Sequence, residues 1–267
     1  MGKEPAPDGD EVGEIGWFSR EQLPQIGLGV FARALLIAVG YVAPGPLGRS
    51  GARPGTACQT SAVEFSDVIS RRRMVHAFTD EPLAPGTADR LLRAANRAPS
   101  AGFSQGYAFL VLEGTAQCAP LWDLVRAADA AEGATEDADP DSVTPLSRAP
   151  LVVVPLACKD IYLDRYARPG KGWTDRDESR WPVPYWYIDT GFTALLTLLA
   201  VVDEGLGAVF FGIAPQVMDE FRAAYGVPAE WTPIGAIAIG HPDPDADPVT
   251  RVTARKSLDE LVHRGRW

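Results

Sequence analysis

The order of helix-like and strand-like segments constrains the fold of this chain more than any other feature. Four apolar runs have the length and composition of buried strands, at residues 107–112, 151–157, 208–211 and 234–240. Because segments with helical spacing lie unevenly between them, helices and strands do not alternate one for one, and the pattern predicts an α+β fold rather than a doubly wound sheet. The predicted helices are at residues 64–71, 87–97, 117–131, 188–204 and 215–225.

A stretch rich in Gly and Pro divides the chain. Residues 43–55 resist helix and ladder formation and favour an exposed connection. We therefore predict an N-terminal extension and linker at residues 1–57 and a main domain at residues 58–267. A short strand at 12–17 and a helical pattern at 31–39 precede the linker, but a piece this short cannot bury a core of its own.

Composition limits the classes of partner. The chain is 46% hydrophobic with a formal net charge of -10, which argues against nucleic acid or an anionic membrane, because both need a continuous basic surface. No uninterrupted apolar run has the length of a membrane span, so we expect a cytoplasmic protein. We expect no metal site, because the cysteines and histidines are scattered along the chain. They are Cys58, Cys118, Cys158, His76, His241 and His263.

An arginine-rich segment opens the main domain. Arg71, Arg72 and Arg73 follow the first predicted helix and lead to Phe78. Taken alone, the run fits a solvated helix end, where cations meet the negative pole of the helix dipole. After the next predicted helix, however, residues 98–109 read Ala-Pro-Ser, then Gln, an aromatic residue and Phe entering a strand.

Three more motifs follow in order. Residues 189–192 open the long helix and 203–207 close it, residues 208–212 form a strand that ends in Phe-Phe-Gly, and a basic segment begins at Arg255. Together these motifs, over about residues 63–267, resemble the signature of the nitroreductase family. The resemblance implies a mixed central sheet flanked by helices, an intertwined homodimer with FMN at its interface, and NAD(P)H as electron donor.

The resemblance also implies which residues hold the phosphate and ribityl end of FMN. These are Arg72 and Arg73, joined by Arg255 from the C-terminus. A phosphate dianion needs fixed cations, and the planar fork of arginine donates two hydrogen bonds at once.

The flavin ring needs an apolar slot with hydrogen-bond donors at its edge. The resemblance places Pro99, Ser100 and Ala101 in the wall of this slot, contributed across the dimer interface. It places Phe211 and Gly212 beside the reactive N5 edge, where glycine lets a backbone N–H approach closely.

Three positions depart from the family pattern. Met74 stands where the family usually has Ser, and Phe103 where it often has Asn, so we expect a side-chain hydrogen bond to the flavin to be lost at each. His76 stands where the family has Lys or Arg near the pyrimidine end of the flavin. Its ability to supply positive charge depends on its protonation.

A segment rich in aromatic and charged residues lies between residues 161 and 186. In the family the corresponding region covers the open face of the flavin, so we interpret it as a substrate lid that includes Tyr166, Trp181 and Trp186. The alternative is that these rings pack the subunit interface. The long helix from residue 188 is apolar nearly all round and is predicted to be the central packing element of the dimer, or else a core helix of a monomer.

The N-terminal extension carries a second resemblance. Residues 17–24 read Trp-Phe-Ser-Arg-Glu-Gln-Leu-Pro, and a helical segment follows at 31–36; the arrangement resembles the C-terminal tail of a Nudix hydrolase over about residues 1–40. The glutamate-rich metal-binding box of that family is absent. We expect residues 1–57 to be a remnant, a truncated fusion or a mis-set start, without pyrophosphatase activity.

The implied function is an FMN-dependent oxidoreductase. It would pass reducing equivalents from NAD(P)H through flavin N5 to a small oxidised acceptor, such as a nitroaromatic or a quinone, by a ping-pong mechanism. One alternative is a non-catalytic flavin-binding protein. Another is a serine hydrolase using Ser104, because residues 102–106 fit Gly-x-Ser-x-Gly, with His263 as base and Asp243 as its orienter. A nucleophile elbow, however, needs a strand before the serine and a helix after it, and the predicted order here is the reverse.

Overall fold

The computed structural model describes residues 64–131, 143–246 and 254–267. The predicted extension and linker at residues 1–57, which include the segment that resembles a Nudix tail, lie outside the described residues, as does Cys58. Within the described ranges the helices are α1 (Phe65–Arg71), α2 (Thr87–Ala95), α3 (Gly114–Ala131), α4 (Thr144–Ser147), α5 (Lys159–Ala167), α6 (Tyr185–Asp203), α7 (Met218–Tyr225) and α8 (Leu258–Leu261). The strands are β1 (Tyr107–Glu113), β2 (Leu151–Cys158), β3 (Gly207–Phe211), β4 (Trp231–Pro233) and β5 (Ala236–Gly240), and short 3₁₀ turns lie at Ala101–Phe103, Glu178–Arg180 and Pro215–Val217.

The strands form a single sheet in the order β1-β2-β5-β3, with β4 beside the end of β2. All of these strand pairs are antiparallel. One isolated parallel bridge, between Met74 and Ala208, adds the segment after α1 to the outer edge of β3. The α+β prediction is therefore confirmed.

Helices cover both faces of the sheet, and the side chains of β2 contact the helices on each face in turn. All eight residues of β2 are buried, and alternate side chains of a strand point to opposite faces. Val152 and Val154 belong to the core cluster that contains residues of α3 and α7, whereas Leu151 and Val153 belong to the cluster with residues of α2 and α6. Each such aliphatic side chain contributes about 1.5–3 kcal/mol on burial.

Helix α3 contains Pro120 in its interior, where proline removes one hydrogen bond of the helix. At the next residue, the Tyr225 hydroxyl of α7 satisfies two backbone groups of α3. It accepts from the Leu121 N–H at 2.9 Å and donates to the Gln117 carbonyl at 2.9 Å. A side chain has thus entered the i to i−4 ladder, which is one of the established causes of a bent helix. The contact also joins α3 to α7.

Three local details differ from the predictions. The segment predicted as a loop from residue 161 begins as helix α5, and the long helix begins at Tyr185, three residues earlier than predicted. The predicted strand at 234–240 is shorter in the structure, where β5 begins at Ala236, because Gly235 separates it from the unpredicted strand β4. Gly235 has φ of 150°, and a Cβ atom there would lie 2.4 Å from Cζ of Phe210, so the break requires glycine.

Helix α6 has two apolar faces. Its inner face packs on α2 and on the sheet, and its buried Thr190, Thr193 and Thr197 satisfy their hydroxyls on carbonyls of the same helix. Its outer face leaves Phe192 and Leu195 exposed. By length and composition α6 could cross a membrane, with mean hydropathy 1.4 over its most apolar stretch, but 44% of that stretch is buried, which fits a core helix.

Candidate functional site

The arginine-rich segment runs beside β3 after α1 ends at Arg71. The Val75 N–H donates to the Ala208 carbonyl at 2.9 Å, and Met74 is bridged to the same residue. Neighbouring residues of an extended chain point to opposite sides. Arg72 and Arg73 therefore occupy different surroundings.

Arg72 is half-buried, and its Nη1 atom is fully buried without a hydrogen-bond partner in the described part of the chain. A buried donor of a permanently charged guanidinium is costly to leave unpaired. An anionic group of a ligand would supply the missing acceptor. The surroundings of Arg72 therefore fit a phosphate such as that of FMN.

Arg73 is exposed and lies on the other side of the segment. Together with Arg71 and Val75 it lines a cavity of about 320 Å³ that also contacts the end of α6. A Cβ atom at Gly207 would lie 2.9 Å from Val75 Cγ2, so the close approach of this segment to β3 depends on glycine. The structure thus separates the two arginines that the sequence placed together.

Met74 and His76 follow Arg72 on the same side of the segment. Met74 is 39% exposed, and His76 is exposed. Within the described ranges neither side chain makes a hydrogen bond. Both are therefore free to contact a ligand.

The turn after β3 presents backbone rather than side chains. Phe211 stacks on Trp122 of α3, with ring centroids 5.6 Å apart and an angle of 22° between the planes. Its ring is therefore turned inward. Gly212 is exposed, and a Cβ atom there would meet no atom within 4 Å, so the space beside this backbone is open.

The segment predicted to form the ring wall is a tightly bonded turn. Ser100 Oγ accepts from the Gln105 N–H at 3.0 Å, and the Ala101 N–H donates to Asp189 Oδ2 at 2.8 Å. Pro99 is exposed, and the ring of Phe103 is 62% exposed. In the described part of this chain, no hydrogen bond, ion pair or ring contact joins the turn to Arg72 or Gly212.

Arg255 lies in a C-terminal arm, residues 254–267, in which every residue is exposed. The arm contains α8, whose start is stabilised by a capping box between Ser257 and Glu260. Among the residues described, Arg255 makes no hydrogen bond or ion pair. The structure of one chain therefore does not bring Arg255 to Arg72.

The residues predicted as a lid form an aromatic cluster around Trp181. The centroid of its ring lies 4.6 Å from that of Tyr166 and 5.3 Å from that of Trp173, both in edge-on arrangements, and 6.0 Å from that of Trp186. Trp186 is buried within this cluster, whereas Tyr166 and Trp181 are half-buried. A groove of about 620 Å³ borders Trp181 and Trp186, which is within the size range of sites for small molecules.

The serine hydrolase arrangement does not assemble in the described residues. Ser104 follows a 3₁₀ turn, precedes β1 and donates to the Ala101 carbonyl at 2.6 Å. His263 lies in the exposed arm against Trp267, and Asp243 pairs with Arg148 at 3.8 Å. The nucleophile elbow has the opposite order of elements.

Two polar residues beside the turn were not predicted as site residues. Asp189 is 3% exposed, and its Oδ2 also accepts from the Tyr162 hydroxyl at 2.9 Å. Burial, then the hydrogen bond to Asp189, raises the pKa of Tyr162 far above its ordinary value. The sequence could have indicated Asp189, because it is the one charged residue in the apolar stretch 185–202. A charge buried in such a helix is costly unless it is hydrogen-bonded or paired.

Comparison with known proteins identifies the family to which this fold belongs. The model of the nitroreductase family matches residues 69–241. A protein of Archaeoglobus fulgidus, provisionally named an NADH dehydrogenase/NAD(P)H nitroreductase, is 24% identical over 206 residues, which cover 76% of this chain and 99% of the relative.

Solved structures share the fold. The nitroreductase CinD from Lactococcus lactis, in complex with chloramphenicol, superposes with a TM-score of 0.59 at 18% identity, covering 75% of this chain and 99% of that one. A provisionally named NADH oxidase from Clostridium acetobutylicum gives 0.51 at 22% identity, covering 75% and 100%. The family match spans most of the chain, and this chain belongs to the nitroreductase family.

Proposed function

We propose that this chain is an FMN-dependent oxidoreductase that uses NAD(P)H to reduce a small oxidised acceptor, such as a nitroaromatic or a quinone. The observation that carries the proposal is the buried, unpartnered Nη1 of Arg72, inside the segment matched by the family. When bound, FMN would supply the redox chemistry by accepting reducing equivalents at N5 and then releasing them to the acceptor, a ping-pong cycle.

The residues of this chain would bind and orient the cofactor. Arg72 would hold the phosphate, with Arg255 reaching it from the arm of a partner copy; Arg73, on the other side of its segment, is the weaker candidate. Met74 and His76 would line the ring edge, and the open backbone at Gly212 would approach N5. The wall formed by Pro99, Ser100 and Ala101 would be supplied by the second copy, with Phe103 beside it.

The second copy is proposed because one chain leaves a large apolar surface uncovered. Exposed apolar side chains lie on α1, on the outer face of α6 and in the C-terminal arm, and α1 packs against α6. Exposed apolar side chains on two helices that pack together, such as α1 and α6, are typical of an interface between subunits. The exposed residues include Phe65, Ile69, Ile188, Phe192, Leu195, Leu258 and Leu261.

The remaining parts of the proposal follow from charge and position. We expect a cytoplasmic enzyme with no nucleic-acid or membrane partner, since the net charge is -10. Tyr166 and Trp181 would act as a lid over the acceptor. Residues 1–57, which include the segment that resembles a Nudix tail, would take no part in the chemistry.

The proposal is tested by purification and reconstitution. The protein should bind FMN and not FAD, because the sequence has no Gly-x-Gly-x-x-Gly fingerprint after a strand. Reconstituted protein should then consume NAD(P)H in the presence of a quinone or nitroarene. A protein that cannot be reconstituted with FMN contradicts the proposal, and one that binds FMN without turnover is the non-catalytic flavin-binding protein.

A further inference from the structure

The turn at residues 100–105 has a strained backbone. Gly102 has φ of 60°, but Phe103 and Gln105, which carry side chains, also have φ of 53° and 52°. Residues other than glycine rarely adopt this region, and they remain there only where the surroundings hold them. The contacts that hold this turn therefore determine its shape.

Contacts from outside the turn come from two helices. Asp189 of α6 accepts the Ala101 N–H at 2.8 Å, and Arg165 of α5 donates from Nε to the Gly102 carbonyl at 2.9 Å. The Tyr166 ring covers Gly102 so closely that a Cβ atom there would lie 2.8 Å from Cε2. The turn is thus fixed from α6 on one side and from α5 on the other.

Asp189 itself is held by Tyr162. The tyrosine is fully buried, and a Cβ atom at Gly106 would lie 2.3 Å from its ring, so Gly106 is what allows the ring to lie there. Its hydroxyl donates to the same Oδ2 atom that accepts from Ala101. In the described ranges the carboxylate has no cationic partner, so its charge depends on these two donors.

We propose that Asp189 is a positioning residue for the flavin: with Tyr162 it fixes the turn at residues 100–105, so that the wall residues 99–101 form a rigid surface for the ring bound by the partner copy. The inference rests on the proposed function. A buried carboxylate suits this task because it accepts hydrogen bonds and donates none, so it cannot pair with a carbonyl of a displaced turn. The wall would then be formed before FMN binds, and binding would not have to order it.

The test uses two variants and two matched controls in the full-length protein. Asp189→Asn introduces an amide with two donors, and Tyr162→Phe removes one donor but keeps both the ring and the carboxylate. Thr193→Val removes a buried hydroxyl of the same helix, and Tyr225→Phe removes a tyrosine hydroxyl that bonds only to α3. Neither control residue bonds to the turn.

Three quantities are measured for each protein: the thermal midpoint of the apoprotein, hydrogen exchange of the amides at residues 101–105, and FMN affinity by fluorescence quenching. Asp189→Asn should speed exchange at Ala101 and weaken FMN binding by about tenfold or more each, and Tyr162→Phe should do so by about threefold. The controls should lower the midpoint but change FMN affinity less than about twofold.

Two results would overturn the inference. One is a control that weakens FMN binding as much as Asp189→Asn at the same loss of stability, since the role of Asp189 would then be structural only. The other is a turn that exchanges faster while FMN affinity stays unchanged. If Asp189→Asn does not fold, Tyr162→Phe decides by the same criteria. Failure of the proposed function is seen separately, because wild-type protein would then bind no FMN.

Discussion

The two halves of the proposed flavin site differ in how far one chain completes them. The half beside β3, with Arg72, Met74, His76 and Gly212, is mostly exposed and leaves Nη1 of Arg72 without a partner among the described residues. The half formed by the turn at residues 100–105 is held by hydrogen bonds to residues of α5 and α6. The first half has the properties of a surface that receives a ligand, and the second those of a preformed wall.

Because the two halves differ in this way, loss of binding and loss of structure are expected from different substitutions. Substitutions in the open half should weaken FMN binding without unfolding the chain. Substitutions beneath the wall should act on stability as well.

Separating the two copies should have the largest effect on FMN binding, because each flavin site would need one half from each copy. Leu195 is 48% exposed on the outer face of α6, and Leu195→Glu would place a charge in the proposed interface, where it cannot be solvated. We expect a monomer that has lost FMN almost entirely. Ala223→Glu, on the exposed side of α7, is the control and should change neither property.

Light scattering gives the mass and a flavin titration gives the affinity. If the monomeric Leu195→Glu protein retained FMN, both halves of the site would have to come from one chain, and the dimer model of the site would be wrong.

Alanine substitutions in the aromatic cluster around Trp181 distinguish a role in packing from a role as a substrate lid. Trp186 is buried against Tyr162 and Trp181, so Trp186→Ala should cost about 3–5 kcal/mol of stability, as for other large core residues. Trp181→Ala and Tyr166→Ala, at half-buried positions, should cost less and should instead change the preference among acceptors. Chemical denaturation and kcat/KM for a quinone and a nitroarene measure the two effects.

An equal loss of stability in all three variants, without any change of acceptor preference, would show that the rings serve packing alone. Burial already argues against a lid role for Trp186, and this result would exclude that role for Tyr166 and Trp181 as well.

The neighbouring arginines test the open half. Arg72→Ala should weaken FMN binding by about tenfold or more, because a charge-assisted hydrogen bond contributes roughly 1.5–3 kcal/mol, while the apoprotein stays folded. Arg73→Ala is the matched control and should change the affinity by less than about threefold, since Arg73 is exposed and lines a cavity to which Arg72 does not contribute. Fluorescence quenching of FMN measures both.

Arg255 extends this test. If its arm brings it to the same phosphate, Arg255→Ala should also weaken binding, and the double variant with Arg72→Ala should be non-additive, as expected for groups that share a partner. Strict additivity, or no effect of Arg255→Ala, would place Arg255 away from the phosphate.

The fold could be predicted from the sequence because its strands are short apolar runs and its helices have clear spacing. Strand β4 was not predicted, since three residues that include Pro233 carry no periodicity, and its pairing with β2 is set by tertiary contact. Helix α5 was missed because its charged and aromatic residues do not form a single apolar stripe.

The candidate site was only partly predictable for a related reason. Motifs indicate which residues share a site, but they do not show the side of an extended segment on which each side chain lies; Arg72 and Arg73 differ in this respect alone. The sequence shows Asp189 only as the first residue of a motif, because its hydrogen bond to Ala101 joins residues 88 positions apart. Separations of that length leave no local pattern.

The smallest effect is expected from removing residues 1–57, which contribute no residue to either half of the proposed site. The truncated chain, beginning at residue 58, should match the full chain in FMN affinity to within about twofold, in mass and in NAD(P)H consumption. The physical reason is that α1, which begins at Phe65, and the α6 face beside it supply the surface on which we expect the dimer to form. Light scattering with flavin titration, carried out on both chains side by side, measures the difference. A truncated chain that became monomeric would show that the extension is part of the interface, and one that kept the dimer but lost FMN would place a third contributor at the site.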